Sequence, residues 1–130
     1  MSSSKISIIV ISGSLERLQM AAMVASIGAV SGHNVTVFLS MNALSYFIKG
    51  KLAKAPAEGE FGRIMQGKNV PPFKELFQKS TEFGNTRIFP CSMAMDVLET
   101  DSKDLEPYLS EPMGLTKFLS NAEGGQILTF

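Results

Sequence analysis

Short apolar segments alternate with longer amphipathic ones along most of the chain. Residues 5–11, 34–39, 86–89 and 126–130 are rich in β-branched, leucine and phenylalanine side chains. Apolar runs of this length predict strands, and a nearly continuous run is typical of a strand buried on both faces of a parallel sheet. The stretches between them predict helices at residues 15–31, 41–48, 71–83, 91–98 and 112–122.

The alternation of strand and helix indicates consecutive βαβ units. We therefore predict an α/β fold of the flavodoxin-like, doubly wound type, formed by one domain over residues 1–130. Its sheet is expected to be mostly parallel, with about four to five strands and with helices on both faces.

Two segments depart from the simple pattern. The first predicted helix has one apolar stripe on Leu15, Leu18 and Ala22 and a second on Met20, Met23 and Ile27. Apolar residues on two sides predict a helix buried on two sides, either deep in the core or at a subunit interface. Residues 49–70 contain several glycines and polar residues and predict a long, partly helical excursion. It also contains Phe61, Ile64 and Met65, so part of it is expected to pack against the domain.

Composition narrows the function classes. Of the 130 residues, 45% are hydrophobic and 18% charged, which indicates a folded globular chain. Lys+Arg and Asp+Glu both number 12 and no basic run occurs, so nucleic acid is not the expected partner. The one cysteine cannot form an internal disulfide, and no apolar run has the length of a membrane span. We predict a cytoplasmic location.

That cysteine, Cys91, follows a short predicted strand and Pro90, and it begins a predicted helix. Unpaired amides and the positive end of the helix dipole favour a thiolate at such a position. A thiolate is a nucleophile, so we predict that the Cys91 thiol is held exposed at this helix start and that Cys91 is the catalytic residue. The alternative is that Cys91 is a small buried hydrophobic residue, which is the usual role of a lone intracellular cysteine.

The carboxyl ends of parallel strands form the edge at which doubly wound sheets bind ligands. Cys91 lies at this predicted edge with three groups of residues that we expect to line its substrate site. These are Ser92 and Met93 beside the thiol, Ser12, Gly13 and Ser14 after the first strand, and Ser40, Met41 and Asn42 after the second. The serine-glycine turn could also hold an anion, although it lacks the spacing of a dinucleotide-binding motif.

The sequence gives little support for a Cys–His catalytic pair or for a metal site. His33, the single histidine, precedes the second strand and so belongs to the opposite edge from Cys91, which argues against a Cys–His pair within one subunit. The remaining carboxylates lack the spacing of metal ligands. We expect neither a metal nor a cofactor.

The stretch Cys91-Ser92-Met93-Ala94-Met95-Asp96-Val97 resembles the cysteine motif of the DsrE/DsrF-like family, in the branch sometimes labelled "peroxiredoxin-like". The likeness extends over nearly the whole chain, except that an aromatic residue and a glycine more often stand near Met41 and Asn42. The peroxidatic Pro-x-x-x-Thr-x-x-Cys pattern is absent. The resemblance implies homo-oligomers and a cysteine that carries sulfane sulfur between a donor and an acceptor protein.

Two hypotheses follow from the sequence. In the first, the chain is a sulfur carrier or sulfurtransferase that holds sulfur on Cys91 as a persulfide or thiosulfonate and passes it to an acceptor thiol. In the second, it is a non-enzymatic module of the same fold, which either binds a nucleotide or another anion or builds an oligomer. Cys91 would then serve packing alone.

Overall fold

The computed structural model describes residues 4–51 and 54–130. This part of the chain contains four strands and six α-helices. The strands are β1 (Lys5–Val10), β2 (Asn34–Leu39), β3 (Arg87–Pro90) and β4 (Gln126–Thr129). The helices are α1 (Leu15–Val30), α2 (Met41–Leu44), α3 (Glu60–Gln66), α4 (Phe73–Phe83), α5 (Ser92–Leu98) and α6 (Leu115–Asn121).

The four strands form one parallel sheet in the order β3-β2-β1-β4. The chain moves outward from β1 through β2 to β3 and then returns to the other side of β1 for its last strand. A strand order that reverses at β1 is the mark of a doubly wound sheet. The predicted fold class is confirmed.

The first face of the sheet is apolar across β1, β2 and β3. Ile8, Val37 and Ile88 are neighbours across β1, β2 and β3, and all three are completely buried. Helix α1 covers this face, and at Gly28 a Cβ would lie only 3.1 Å from Cγ2 of Val35. Helix α4 packs along α1. The main hydrophobic core lies between this layer and the sheet.

Helices cover less of the second face of the sheet. Its main contact with a helix is between Phe38 on β2 and Phe118 on α6, whose ring centroids are 4.9 Å apart. The handedness of the crossovers explains why the two faces differ. The connections from β1 to β2 and from β2 to β3 move outward and lie on the first face. The connection from β3 to β4 runs in the opposite direction, so as a right-handed crossover it must lie on the second face.

Three predicted features differ in the structure. Helix α6 begins at Leu115 and not near residue 112, because residues 110–113 are held beside β3. The predicted helix 41–48 is α2 followed by a 3-10 turn at Ser45–Phe47. The second stripe of α1 is exposed at Met20, Met23 and Ile27, so α1 is not buried on two sides within this chain. Its predicted role in a subunit interface stays a prediction.

The excursion at residues 49–70 is held mainly by polar contacts, and two of its positions, 52 and 53, lie outside the described residues. Ala55 is buried and Met65 is half-buried, so part of the segment packs down as predicted, but Phe61 and Ile64 are exposed and do not contribute. Instead the carboxylate of Glu16 on α1 accepts hydrogen bonds from the amides of Glu58, Gly59 and Gly62, at 2.7, 2.8 and 3.1 Å. These amides belong to the start of α3, so a side chain of another helix satisfies unpaired donors there.

The hydrogen bond from the Glu58 amide is the main reason why the pKa of Glu16 lies below its usual value of 4.5, and those from Gly59 and Gly62 act in the same direction. A Cβ at position 62 would come within 2.5 Å of the Glu16 carboxylate oxygen. Glycine at this position therefore lets the carboxylate reach the helix start.

We expect Glu16→Gln to destabilise the protein at neutral pH, because a neutral amide is a weaker acceptor than a carboxylate. A carboxyl group whose pKa is lowered by folding stabilises the folded state above its unfolded pKa and loses this effect as pH falls through the folded pKa. The difference in the free energy of unfolding between wild type and Glu16→Gln should thus be constant near neutral pH and shrink below about pH 4.5. Urea unfolding at several pH values measures it.

The matched control is Glu60→Gln, which neutralises an exposed carboxylate on the first turn of α3. A pH profile for Glu16→Gln that is no steeper than the control's would contradict the assignment of Glu16 as the anchor.

Candidate functional site

Cys91 lies where β3 ends and α5 begins, as predicted. Its backbone is extended, with φ −73° and ψ 122°, and it occupies the N-cap position of α5. The Cys91 amide donates a hydrogen bond to the carbonyl oxygen of Leu39 at 2.9 Å. The thiol-bearing residue is therefore fixed at the carboxyl edge of the sheet by continued pairing with β2.

The cysteine is nevertheless buried, with only 4% of its surface exposed. Residues 110–113 run along the outer edge of β3 and form what we call the edge segment. The Ser110 amide donates to Ile88 O at 2.7 Å and the Met113 amide to Pro90 O at 3.0 Å, while the Ser92 amide donates to Met113 O at 3.1 Å. The expectation of an exposed thiol is wrong, because the edge segment covers the open side of an edge strand that would otherwise be unpaired.

The helix start does not bind the sulfur atom. The Cys91 side chain forms no capping hydrogen bond with the first amides of α5, and one of these amides, from Ser92, is taken by Met113 O. The predicted stabilisation of a thiolate by these amides is therefore not present in this closed arrangement.

The other predicted site residues separate into two groups. Ser92 and Met93 are exposed beside the buried Cys91. The loops after β1 and β2 meet each other, since a Cβ at Gly13 would lie 3.1 Å from Cβ of Asn42. Gly13, Ser14 and Asn42 line a hollow of about 520 Å³ together with Tyr46, Lys51 and the 56–58 stretch, and Cys91 is not among its lining residues.

The serine turn after β1 already holds an anionic group of the chain itself. Ser14 Oγ donates to Glu58 Oε1 at 2.9 Å, and Ser12 Oγ accepts from the Ser14 amide at 3.0 Å. Arg17 Nε also binds Glu58 Oε1 at 2.9 Å, and this bond, followed by that from Ser14, holds the pKa of Glu58 below its usual value. The Glu58 carboxylate therefore occupies the serine turn, which the sequence suggested as a site for a bound anion.

The loop after β2 contains a strained residue. Met41 has φ of 53°, in the left-handed region that non-glycine residues rarely adopt, and its side chain is 54% exposed. Ser40 before it is buried but forms no side-chain cap of α2. Glycine adopts this backbone conformation without the steric cost that a Cβ brings.

Three residues of the carboxyl edge escaped the sequence analysis: Met113, Glu58 and Tyr46. Met113 is the bridge partner of Cys91, Glu58 binds the serine turn, and Tyr46 Oη donates to Gly13 O at 2.9 Å. All three come from other parts of the chain, so spacing along the sequence carried no signal for them.

His33 lies at the amino edge of the sheet, where its Nδ1 is 3.0 Å from Ser4 Oγ. It directly precedes β2, at the opposite edge from Cys91, as predicted. Within residues 4–51 and 54–130, no group of three or more His, Cys, Asp or Glu side chains could hold a metal ion. None of the helices in this part of the chain is long and apolar enough to cross a membrane.

A family model described as DsrE/DsrF/DrsH-like matches residues 53–130, which is more than half of the chain and includes Cys91. The chain belongs to this family. Among curated proteins, none matches it in sequence.

Two solved structures show the same fold. One is a protein of unknown function, MTH1491 from Methanobacterium thermoautotrophicum, with a TM-score of 0.71 and 10% identity over 98% of this chain and 100% of that one. The other is the ychN protein from E. coli, with a TM-score of 0.66 and 16% identity over 99% of this chain and 100% of that one. At identities this low, the two structures show that the fold is shared, and they carry no information about a shared activity.

We expect Met113→Ala to expose the thiol. Removing a buried side chain destabilises the closed edge segment, and each 1.4 kcal/mol lost raises the open population about tenfold. Alkylation of native Cys91 by iodoacetamide should therefore accelerate by about tenfold or more, measured by mass spectrometry while circular dichroism shows a folded protein.

Met93→Ala is the control, since Met93 is exposed beside the same cysteine. Equal alkylation rates in both variants would contradict the role of Met113 as the cover of Cys91.

We expect Met41→Gly to stabilise the protein by about 0.5–1 kcal/mol. Relief of left-handed strain is worth about 1–2 kcal/mol, and the added freedom of glycine in the unfolded chain offsets roughly 0.5–1 kcal/mol of it. Met41→Ala keeps Cβ and hence the strain, so it should give no gain. Chemical denaturation measures the free energy of unfolding of both variants. Equal changes in Met41→Gly and Met41→Ala would show that the backbone at position 41 is not strained.

Proposed function

We propose that this chain is a cytoplasmic sulfur carrier in which Cys91 holds sulfane sulfur as a persulfide or thiosulfonate. The observation that carries the proposal is the position of Cys91 at the junction of β3 and α5, within the stretch that the family model matches. A cysteine at the carboxyl edge of a parallel sheet lies where folds of this type place their chemistry. The site residues proposed with it are Ser92 and Met93, which adjoin it in sequence and are exposed.

The transfer balances without an outside oxidant. The Cys91 thiolate attacks the outer sulfur of a donor persulfide, the donor S–S bond breaks, and its electron pair leaves with the donor thiolate. A new S–S bond then joins Cys91 to the transferred sulfur. An acceptor thiolate attacks that sulfur in turn, and Cys91 leaves as the thiolate.

Burial of Cys91 adds a requirement to this scheme. A donor or acceptor thiol reaches Cys91 only after the edge segment has separated from β3, and the contacts to be broken are those of the Ser110 amide to Ile88 and of Met113 to Pro90 and Ser92. When the segment withdraws, the Ser92 amide loses its partner at the start of α5. It is then free to stabilise an anionic sulfur.

Closure serves the carrier role as well. A persulfide held behind the edge segment is shielded from small thiols in the surrounding solution, and discharge becomes dependent on a partner protein that moves the segment. We propose donor and acceptor proteins as these partners, and homo-oligomeric assembly of the chain, with the exposed stripe of Met20, Met23 and Ile27 on α1 as a surface for it.

Sulfur loading tests the proposal directly. After incubation of the folded protein with tetrathionate or with a persulfide donor, mass spectrometry should find sulfur-bearing mass on the Cys91 peptide. The mass should disappear on treatment with dithiothreitol, and Cys91→Ala should gain none.

Met113→Ala should load faster than wild type because its thiol is less protected. A folded wild type and a folded Met113→Ala that both remain unmodified under conditions that load the unfolded chain would refute the carrier function.

The hollow at the meeting of the loops after β1 and β2 favours a second candidate, a module that binds a small ligand without covalent chemistry. Gly13, Asn42 and Lys51 contribute to about 520 Å³ there, within the usual size range of ligand sites, and Cys91 does not take part. Cys91→Ala separates the candidates. Ligand binding at the hollow survives this substitution, whereas sulfur loading does not.

A further inference from the structure

The amino-terminal half of the second sheet face is polar. Ser7 pairs with Thr36 and Thr36 with Arg87, while Lys5 pairs with Asn34 one step nearer the amino edge. Paired residues of neighbouring strands point to the same side, and so do residues two apart on one strand. All five side chains therefore lie on one face. A parallel sheet covered on both faces is normally apolar at such positions, so this patch calls for a ligand or a partner.

These residues form the floor of a cleft of about 450 Å³ between the sheet and α6, which we call the sheet-face cleft. Phe89, Met113 and Phe118 form its apolar wall, and Ser120 and Asn121 close the far side. A volume of this size is typical of sites for small molecules.

Hydroxyl groups hold the floor of the cleft in place. Thr36 Oγ1 donates to Ser7 Oγ at 3.2 Å, and Ser7 is only 2% exposed. Two buried or half-buried hydroxyls that satisfy each other at the centre of the sheet give this face a fixed polar surface.

The charge of the cleft is positive. Lys5 and Arg87 line it and none of its lining residues is acidic. Lys5 Nζ donates to the carbonyl oxygens of Asn121 and Glu123 at 3.2 and 3.3 Å, so its charge is held at the rim beside α6. Among the described residues, neither cation forms a salt bridge.

Arg87 is available to bind an anion at the edge of its guanidinium group. The guanidinium carbon lies 5.6 Å from the centroid of the Phe89 ring, which supports one side of the group. The planar guanidinium offers paired donors that match carboxylate and phosphate oxygens. Burial of this surface against a second copy of the chain is the less favourable alternative, because the cores of such interfaces are depleted of charge.

We propose that the sheet-face cleft binds a small organic anion, with Arg87 holding its carboxylate or phosphate group and Phe89 and Phe118 contacting its apolar body. The site is distinct from the proposed sulfur site, since neither Cys91 nor its neighbours Ser92 and Met93 line the cleft. The two sites share Met113, but the experiment below measures anion binding in a chain whose Cys91 is unchanged, so its failure is distinguishable from a failure of sulfur transfer.

Benzoate, phenyl phosphate and the uncharged isostere benzamide are suitable probes. In titrations of the 15N-labelled full chain followed by NMR, benzoate or phenyl phosphate should shift the amide resonances of Thr36, Arg87 and Phe89. The probe with the higher affinity shows whether the cleft prefers a carboxylate or a phosphate group. Benzamide should bind at least about tenfold more weakly than benzoate.

Arg87→Gln should raise the dissociation constant of the preferred anion by about tenfold or more, because it removes charged hydrogen bonds. Arg63→Gln is the control, since it removes the same charge from an exposed position on α3. Arg87 is exposed on an edge strand, so its replacement leaves the core intact.

Four results would overturn the proposal. The first three are the absence of any shift with both anions up to their solubility limits, equal affinities for benzoate and benzamide, and equal effects of Arg87→Gln and Arg63→Gln. Shifts of the same resonances on dilution of the protein without any probe would also overturn it, because they would identify this face as an interface between copies.

Discussion

The return of the chain from β3 to β4 is the constraint from which most of the structure follows. Parallel strands need a right-handed crossover, and this one must traverse the whole width of a four-stranded sheet on the face that α1 and α4 leave free. After α5 the crossing chain returns to β3, where residues 110–113 satisfy the open edge of the strand and pair with Cys91. It then forms α6, which covers only part of the second face.

Both proposed sites are consequences of this one connection. The sulfur site is closed because the crossover includes the edge segment, and Met113 both pairs with Cys91 and forms part of the wall of the sheet-face cleft. The cleft exists because α6, a helix of seven residues, is too short to cover the face it crosses. A cover held by three backbone hydrogen bonds and one buried methionine is the kind of element that opens locally without global unfolding.

The start of α1 shows how polar contacts replace hydrophobic packing in the excursion. Glu16 binds three amides near the start of α3, and Glu58 is bound in return by Ser14 and Arg17. These reciprocal bonds fix residues 58–62 on the domain while Phe61 remains exposed. The turn after β1, where the sequence suggested space for a foreign anion, is thereby occupied by a carboxylate of the chain.

The sequence by itself determined the architecture. Apolar strands at residues 5–11 and 34–39, helical spacing between them, and glycines at helix ends are local signals, and their order leaves few topologies once handedness is respected. It also placed Cys91 at the end of β3. Only the tertiary structure decided that this thiol is covered, that α6 starts after residue 113, and that Lys5 and Arg87 share one face. Exposure and charge clustering depend on residues far apart in the chain, and a pattern read along the chain contains no information about which of them meet.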